Sequence, residues 1–341
     1  MANPERARIG AISVPAAVRG SIALDRLRDA GQVYGPLIAL ILLVLYNALF
    51  TRNFLTEQSI RVNLTQVATI VIVATGMTFV IATGGIDLSV GSLMAISGNI
   101  APFILFSDRA PFDTPVLGLV LAFVLPVLAT GALGAVNGAL VTGFRLQPII
   151  ATLVLFLAGR GIAQVLTDGA LKGVSDPDFQ YIGKGEIFGV RFQVILMILI
   201  VALAAWVMRS TAFGRYVLAT GGNEPAARLA GVPVNRVKLA VYVISGLLAG
   251  IAGLIVIAIN SSSDPNNVGQ LMELDAIAAV AVGGTPLTGG RASMLGTLVG
   301  ALIIQLLRFS LVSHGVADAT ARIVIAGAIV LAVLAQRQRQ T

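Results

Sequence analysis

Residues 62–106 read VNLTQVATIVIVATGMTFVIATGGIDLSVGSLMAISGNIAPFILF: two apolar runs, 62–83 and 88–106, parted by Gly84-Gly85-Ile86-Asp87. Each run has about the 20 residues that an α-helix needs to cross the hydrocarbon core of a bilayer. The break between them carries the only charged side chain of the stretch, Asp87. A carboxylate isolated in hydrocarbon is costly, so Asp87 must reach an interface or be held by helix-end amides and by Ser89 or Ser92.

Outward from this stretch, further apolar runs fall at 33–50, 116–142, 146–166, 192–208, 239–259, 275–289, 292–309 and 321–335. The expectation is an all-α membrane protein with about ten transmembrane helices. The 341 residues are 57% hydrophobic and only 11% charged, with a mean hydropathy of +0.92. That leaves too little polar side chain to coat a water-soluble surface, which excludes a soluble enzyme. The two runs flanking Gly283 to Arg291 are open to reading as two spans or as one broken helix.

Ten spans put both termini on one side. Placing that side in the cytoplasm leaves fourteen basic residues inside and seven outside, as the positive-inside rule requires. The net charge of +7 is therefore a topology signal, and the expected surroundings are lipid rather than nucleic acid. The expected organisation is a basic cytoplasmic segment 1–32, a transmembrane domain 33–335 and a cytoplasmic tail 336–341.

Two connections are long. The outer one, Thr167 to Arg191, is rich in Gly, Pro and acidic residues and reads as a small cap. The inner one, 209–238, contains a short helix signal: Asn223 as N-cap, Glu224 at the dipole-favoured start, Pro225 in the first turn, Ala226 to Ala230 as the body and Gly231 as the stop. So short a helix is marginal alone in water and calls for a docking partner. A weak internal repeat aligns Gly84-Gly85-Ile86-Asp87-Leu88-Ser89-Val90-Gly91 with Gly283-Gly284-Thr285-Pro286-Leu287-Thr288-Gly289-Gly290. Similarly oriented repeated halves with glycine-interrupted spans are a habit of transporter folds.

Enzyme chemistry finds no footing. The chain has no Cys and one His, His314, so neither a thiolate nor a His-cluster metal site can be built. No phosphate-binding G-x-x-x-x-G-K-[ST] loop exists, and Gly183-Lys184 lacks its other residues. The expectation is no catalytic residue, no metal and no cofactor bound by this chain.

Polar residues inside the spans are the candidate functional groups. Asp87 reads as a turn residue capping the third span, as a gate contact, or as both. Arg160, with Gln164 one turn further on, either lines a polar path or snorkels to the interface. Asn63, Gln66, Thr75, Thr78, Asn99, Asn137 and Gln305 are further candidates, with Phe79 and Phe156 as stacking surfaces, although interhelical hydrogen bonding explains any one of them. Gly246-x-x-x-Gly250 and Gly296-x-x-x-Gly300 permit close helix approach.

Together these motifs resemble the ribose-type permease subunits of bacterial ATP-binding-cassette importers. The resemblance rests on Gly84 to Ser92, Gln147-Pro148 leading to Ala151-Thr152-Leu153, Gly221 to Val232, Tyr242 to Leu247 and Gly283 to Arg291. It implies a multi-pass subunit of the bacterial inner membrane paired with a second permease, ABC ATPase subunits and a periplasmic sugar-binding protein. ATP and Mg would be bound by the ATPase. It also implies that Asn223, Glu224, Pro225, Ala226, Arg228 and Gly231 form the ATPase-coupling segment. Gly84, Gly85, Asp87, Ser89, Phe79, Asn99, Arg160 and Gln164 are the candidates for the gate or substrate path, with Gly283, Gly284, Gly289 and Gly290 as a second glycine motif. Asp264 to Gly269, Glu273 to Ile277 and Ala158 to Gln164 resemble the galactofuranose-type branch.

Overall fold

The computed structural model describes residues 35–106 and 115–337, and it is helical almost throughout. The expected segment 1–32 and most of the tail 336–341 lie outside the described residues. The chain runs through α1 (Gly35–Phe50), α2 (Glu57–Ala82), α3 (Val90–Phe106), α4 (Pro115–Thr142), α5 (Pro148–Thr167), β1 (Lys172–Gly173) and α6 (Pro177–Lys184). It continues with β2 (Glu186–Ile187), β3 (Val190–Arg191), α7 (Phe192–Ser210), α8 (Ala212–Gly222), α9 (Glu224–Leu229) and α10 (Val234–Asn260). The last elements are β4 (Ser262–Ser263), α11 (Met272–Val282), α12 (Met294–Ser313) and α13 (Asp318–Arg337).

Six helices, α2, α4, α5, α7, α10 and α12, are long and apolar enough to cross a membrane, while α1 and α3 are shorter apolar helices. The expected ten crossings are thus supported in part. The run 275–289 departs most from expectation. Its helix, α11, has 11 residues and rises about 17 Å, roughly half the hydrocarbon thickness. Gly283-Gly284 and Pro286 end it early. The segments around 283–293 are two helices folded against one another rather than one broken helix. A methyl group on Gly283 would meet the backbone N of Thr297 at 2.7 Å, so α11 and α12 touch main chain to main chain.

Two helices form the centre. Every residue of α2 from Val67 to Ala82 is buried, as befits a helix that is apolar all round. It is enclosed by α7, α10, α11 and α12. The other central helix, α10, packs along α2, α3 and α4. The first of the expected small-residue motifs sets the α10–α4 distance: a methyl group on Gly246 would lie 3.1 Å from the Thr130 carbonyl carbon.

The long connection after α5 folds into the cap expected from its composition. Asp176 caps α6 by accepting from the Phe179 N–H at 2.9 Å, and β2 and β3 form a hairpin. β1 pairs antiparallel with β4, Lys172 opposite Ser263. Glu186 anchors the hairpin to α2 through Arg61. The connection 209–238 differs from expectation: besides α9 it contains α8, whose N-cap Thr211 accepts from the Gly214 N–H at 3.2 Å.

Candidate functional site

The two glycine repeats are the same structural device. Gly84 ends α2 with φ +80° and Gly284 ends α11 with φ +89°, the left-handed conformation that glycine adopts without steric cost. In one turn the Gly84 N–H donates to Ile81 O and the Gly85 N–H to Val80 O. In the other, Gly284 donates to Ala281 O and Thr285 to Val280 O. Both are Schellman caps. The hydrogen bonds place Gly84 on Gly284, one residue along from the register suggested by identity, because a C-cap is specified by its left-handed residue.

Asp87 follows the first turn and is fully buried. Its carboxylate accepts from the Ser89 N–H at 3.0 Å, the Ser89 hydroxyl at 2.6 Å and the Ser245 hydroxyl of α10 at 2.8 Å. Asn137 of α4 donates to the Ser89 hydroxyl at 2.8 Å. Thr152 of α5 accepts from the Leu88 N–H at 3.1 Å, and the Tyr242 hydroxyl lies 3.5 Å from Ile86 O. Three helices, α4, α5 and α10, therefore hold this loop in one conformation. A buried carboxylate is tolerable when its oxygens are satisfied in this way.

The second repeat closes over the first. The Gly290 N–H donates to Ala82 O at 3.0 Å, and a methyl group on Gly289 would stand 2.7 Å from Gly84 N. Gly221 and Gly222 at the end of α8 join the same spot. A methyl group on Gly221 would stand 2.6 Å from Gly290 N, and one on Gly290 would stand 2.9 Å from Gly222 Cα. Phe79 of α2 leans on Phe213 of α8, with ring centroids 6.2 Å apart.

The short helix α9 forms as its sequence indicates. Asn223 accepts from the Ala226 N–H at 3.0 Å, and Gly231 leaves the helix with φ +81°. Glu224 accepts from Lys238 at 2.6 Å and from Arg228 at 2.8 Å, while Arg228 also reaches Asn235 at 2.8 Å. Burial raises the Glu224 carboxyl, but the hydrogen bonds and charges of Lys238 and Arg228 outweigh it and hold it below the usual carboxylate range. Pro225, Ala226 and Arg228 are exposed, and Leu229 is 92% exposed. Beside them opens a cleft of about 780 Å³, lined by Arg145, Glu224, Arg228, Asn235 and Lys238 among others.

The remaining candidates gather elsewhere, about 12 Å along α5 from Thr152. Arg160 donates to Pro265 O at 2.9 Å and to Val268 O at 2.7 Å. Gln164 donates to Asn266 Oδ1 at 2.8 Å, and Asn99 accepts from the Ser263 hydroxyl at 2.7 Å. All three fasten the 263–268 loop. Within that loop the Asn266 N–H leads the contacts that hold the Asp264 carboxyl below its ordinary value. Gln305 bonds Asn63 at 3.3 Å and Gln66 at 2.5 Å, and Thr78 lies 2.8 Å from the Thr297 hydroxyl.

Sequence reasoning missed Tyr242, Ser245 and Lys238 as partners of the first glycine motif and of α9. Their spacing was the available signal: Lys238, Tyr242 and Ser245 stand at i, i+4 and i+7, one face of α10.

The chain matches the family described as branched-chain amino acid transport system / permease component over residues 59–334. It is 43% identical to the ribose import permease protein RbsC of Escherichia coli K12 over 310 residues, 89% of this chain and 93% of that one. It is 39% identical to RbsC of Bacillus subtilis 168 over 310 residues, 90% and 94% of the two chains. The galactofuranose transporter permease protein YtfT of E. coli K12 is 40% identical over 277 residues, 81% of this chain and 79% of that one. No solved structure is detectably similar. Apolar helices, paired glycine caps and this likeness over nearly the whole chain agree: the protein belongs to the branched-chain amino acid transport system / permease component family, as a multi-pass inner-membrane permease of the sugar-importing ABC kind and not an enzyme.

Proposed function

We propose that this chain is the transmembrane subunit of an ATP-driven importer that receives a monosaccharide, a pentose or a galactofuranose-type sugar, from a periplasmic binding protein. The likeness to ribose and galactofuranose permeases supports the substrate class. ATP and Mg act in a partner ATPase, and a second permease subunit, a copy of this chain or a relative, completes the path. Both termini are cytoplasmic, with segment 1–32 and tail 336–341 flanking the transmembrane domain 33–335.

One observation carries the reading: α9 presents an exposed apolar side chain, Leu229, on a helix whose other face is pinned to α10. An isolated six-residue helix is marginal, yet here it is capped, stopped and braced as a docking element would be. The ATPase docks on α9, and the cleft beside Arg145 receives part of it. Asp87, Ser89, Asn99, Arg160 and Gln164 border the path as residues that hold its walls.

The test is co-reconstitution in vesicles with ATPase and binding-protein subunits, reading ATP-dependent uptake over a panel of pentoses and hexoses that includes furanose forms. Uptake of one sugar only when every component is present is the expected result. Uptake by the chain alone overturns it.

A further inference from the structure

Three backbone segments far apart in sequence meet at one point. Gly84-Gly85 ends α2, Gly289-Gly290 precedes α12, and Gly221-Gly222 ends α8. The Gly290–Ala82 hydrogen bond joins the first two. Gly221 faces both, since a side chain there would run into Ala82 O and Gly290 N. Gly222 is followed directly by Asn223, the N-cap of α9. A displacement of α9 is therefore delivered through two residues to the ends of both glycine turns. On its other side α9 is tied by Glu224 to Lys238, and the same face of α10 carries Tyr242 and Ser245 to Ile86 and Asp87. The Asp87 loop is thus reached from α9 by two routes. Neither passes through flexible side chains alone.

We propose that the Gly84, Gly221 and Gly290 backbones form the transmission point of the transport cycle, positioning residues that convert movement of the docked α9 into rearrangement of the Asp87 loop and of the loop before α12. This rests on the docking of an ATPase at α9. Interior packing is close and has few intermediate arrangements, so backbones in direct contact move together or not at all.

The test uses the full complex with its ATPase. Hydrogen–deuterium exchange is measured on the wild-type chain alone, with ATPase, and with ATPase and ATP. The expected result is protection of α9 by the ATPase, and a nucleotide-dependent change at the amides of residues 82–85 and 288–290. Protected α9 with an unchanged junction overturns the transmission role alone. Unprotected α9 overturns the docking reading as well. In parallel, Gly221→Ala is expected to retain ATPase co-purification while uptake falls at least tenfold. Gly118→Ala, where a methyl group meets nothing within 4 Å, stays within twofold of wild type. Wild-type uptake by a folded Gly221→Ala overturns the proposal, and if that variant does not fold, the wild-type exchange data decide.

Discussion

At the scale of the single residue, Asp87 separates two meanings of a polar group in a membrane protein. Its oxygens are used by Ser89 and Ser245, so Asp87→Ala should strand buried donors and destabilise the fold by about 2–4 kcal/mol. Asp87→Asn, which keeps one acceptor for Ser89, should cost less than half of that. Thermal unfolding in detergent micelles measures both. An Asp87→Ala protein as stable as wild type but unable to transport would instead make the carboxylate a direct gate contact. The sequence made the need for a partner legible, because a lone carboxylate between apolar runs has few affordable states. It did not name Ser245, since a serine in a glycine-rich helix looks the same whether it bonds its own backbone or a group 158 positions away. Arg160 taught the converse: snorkelling and path-lining were both readable, but its actual acceptors are two carbonyls of a distant loop.

At the scale of the element, α9 was legible to the residue because caps are local chemistry. Asn223→Ala should cost about 1 kcal/mol of helix stability, seen as faster amide exchange across 224–229. Leu229→Asp should leave the fold intact and weaken ATPase co-purification by more than tenfold, the loss expected on removing one buried leucine from an interface. The Glu224 carboxyl, held low by Lys238 and Arg228, contributes stability that is complete above the ordinary carboxylate value and disappears as pH falls through its lowered one. The pair is partly exposed, so about 0.5 kcal/mol is at stake. The difference in melting temperature between wild type and Glu224→Gln should therefore shrink on acidification. By contrast α8 was not legible: Gly214, Gly221 and Gly222 lower its intrinsic helix propensity, and tertiary contact with α2 and α7 overrides that deficit. The length of α11 differs from expectation for a related reason: Gly283 to Gly289 carry no charge and so do not interrupt the run 275–289, while the backbone makes a turn of them.

At the scale of the whole molecule, the lengths of the apolar runs located the long helices and missed their arrangement, because lipid-facing and protein-facing leucines read alike when the solvent is itself apolar. Sidedness is open to direct test in a chain without native cysteine. Phe188→Cys, at the fully exposed tip of the β2–β3 hairpin, should react with a membrane-impermeant maleimide in intact cells. Leu229→Cys should react only in inverted vesicles; the exchanged pattern would reverse the proposed topology, and labelling of both from one side would overturn the placement of hairpin and α9 on opposite faces. The enclosure of α2 has a further consequence, one of timing. Ribosomes deliver α2 early, yet helices that wrap it, α10, α11 and α12, are the product of the last third of the message. Until Gln305 emerges, the side-chain oxygens of Asn63 and Gln66 lack the donor that α12 brings them. A nascent chain stalled before Met294 would therefore be a substrate for membrane quality control, and biogenesis of this permease should depend on insertases that shelter half-made bundles.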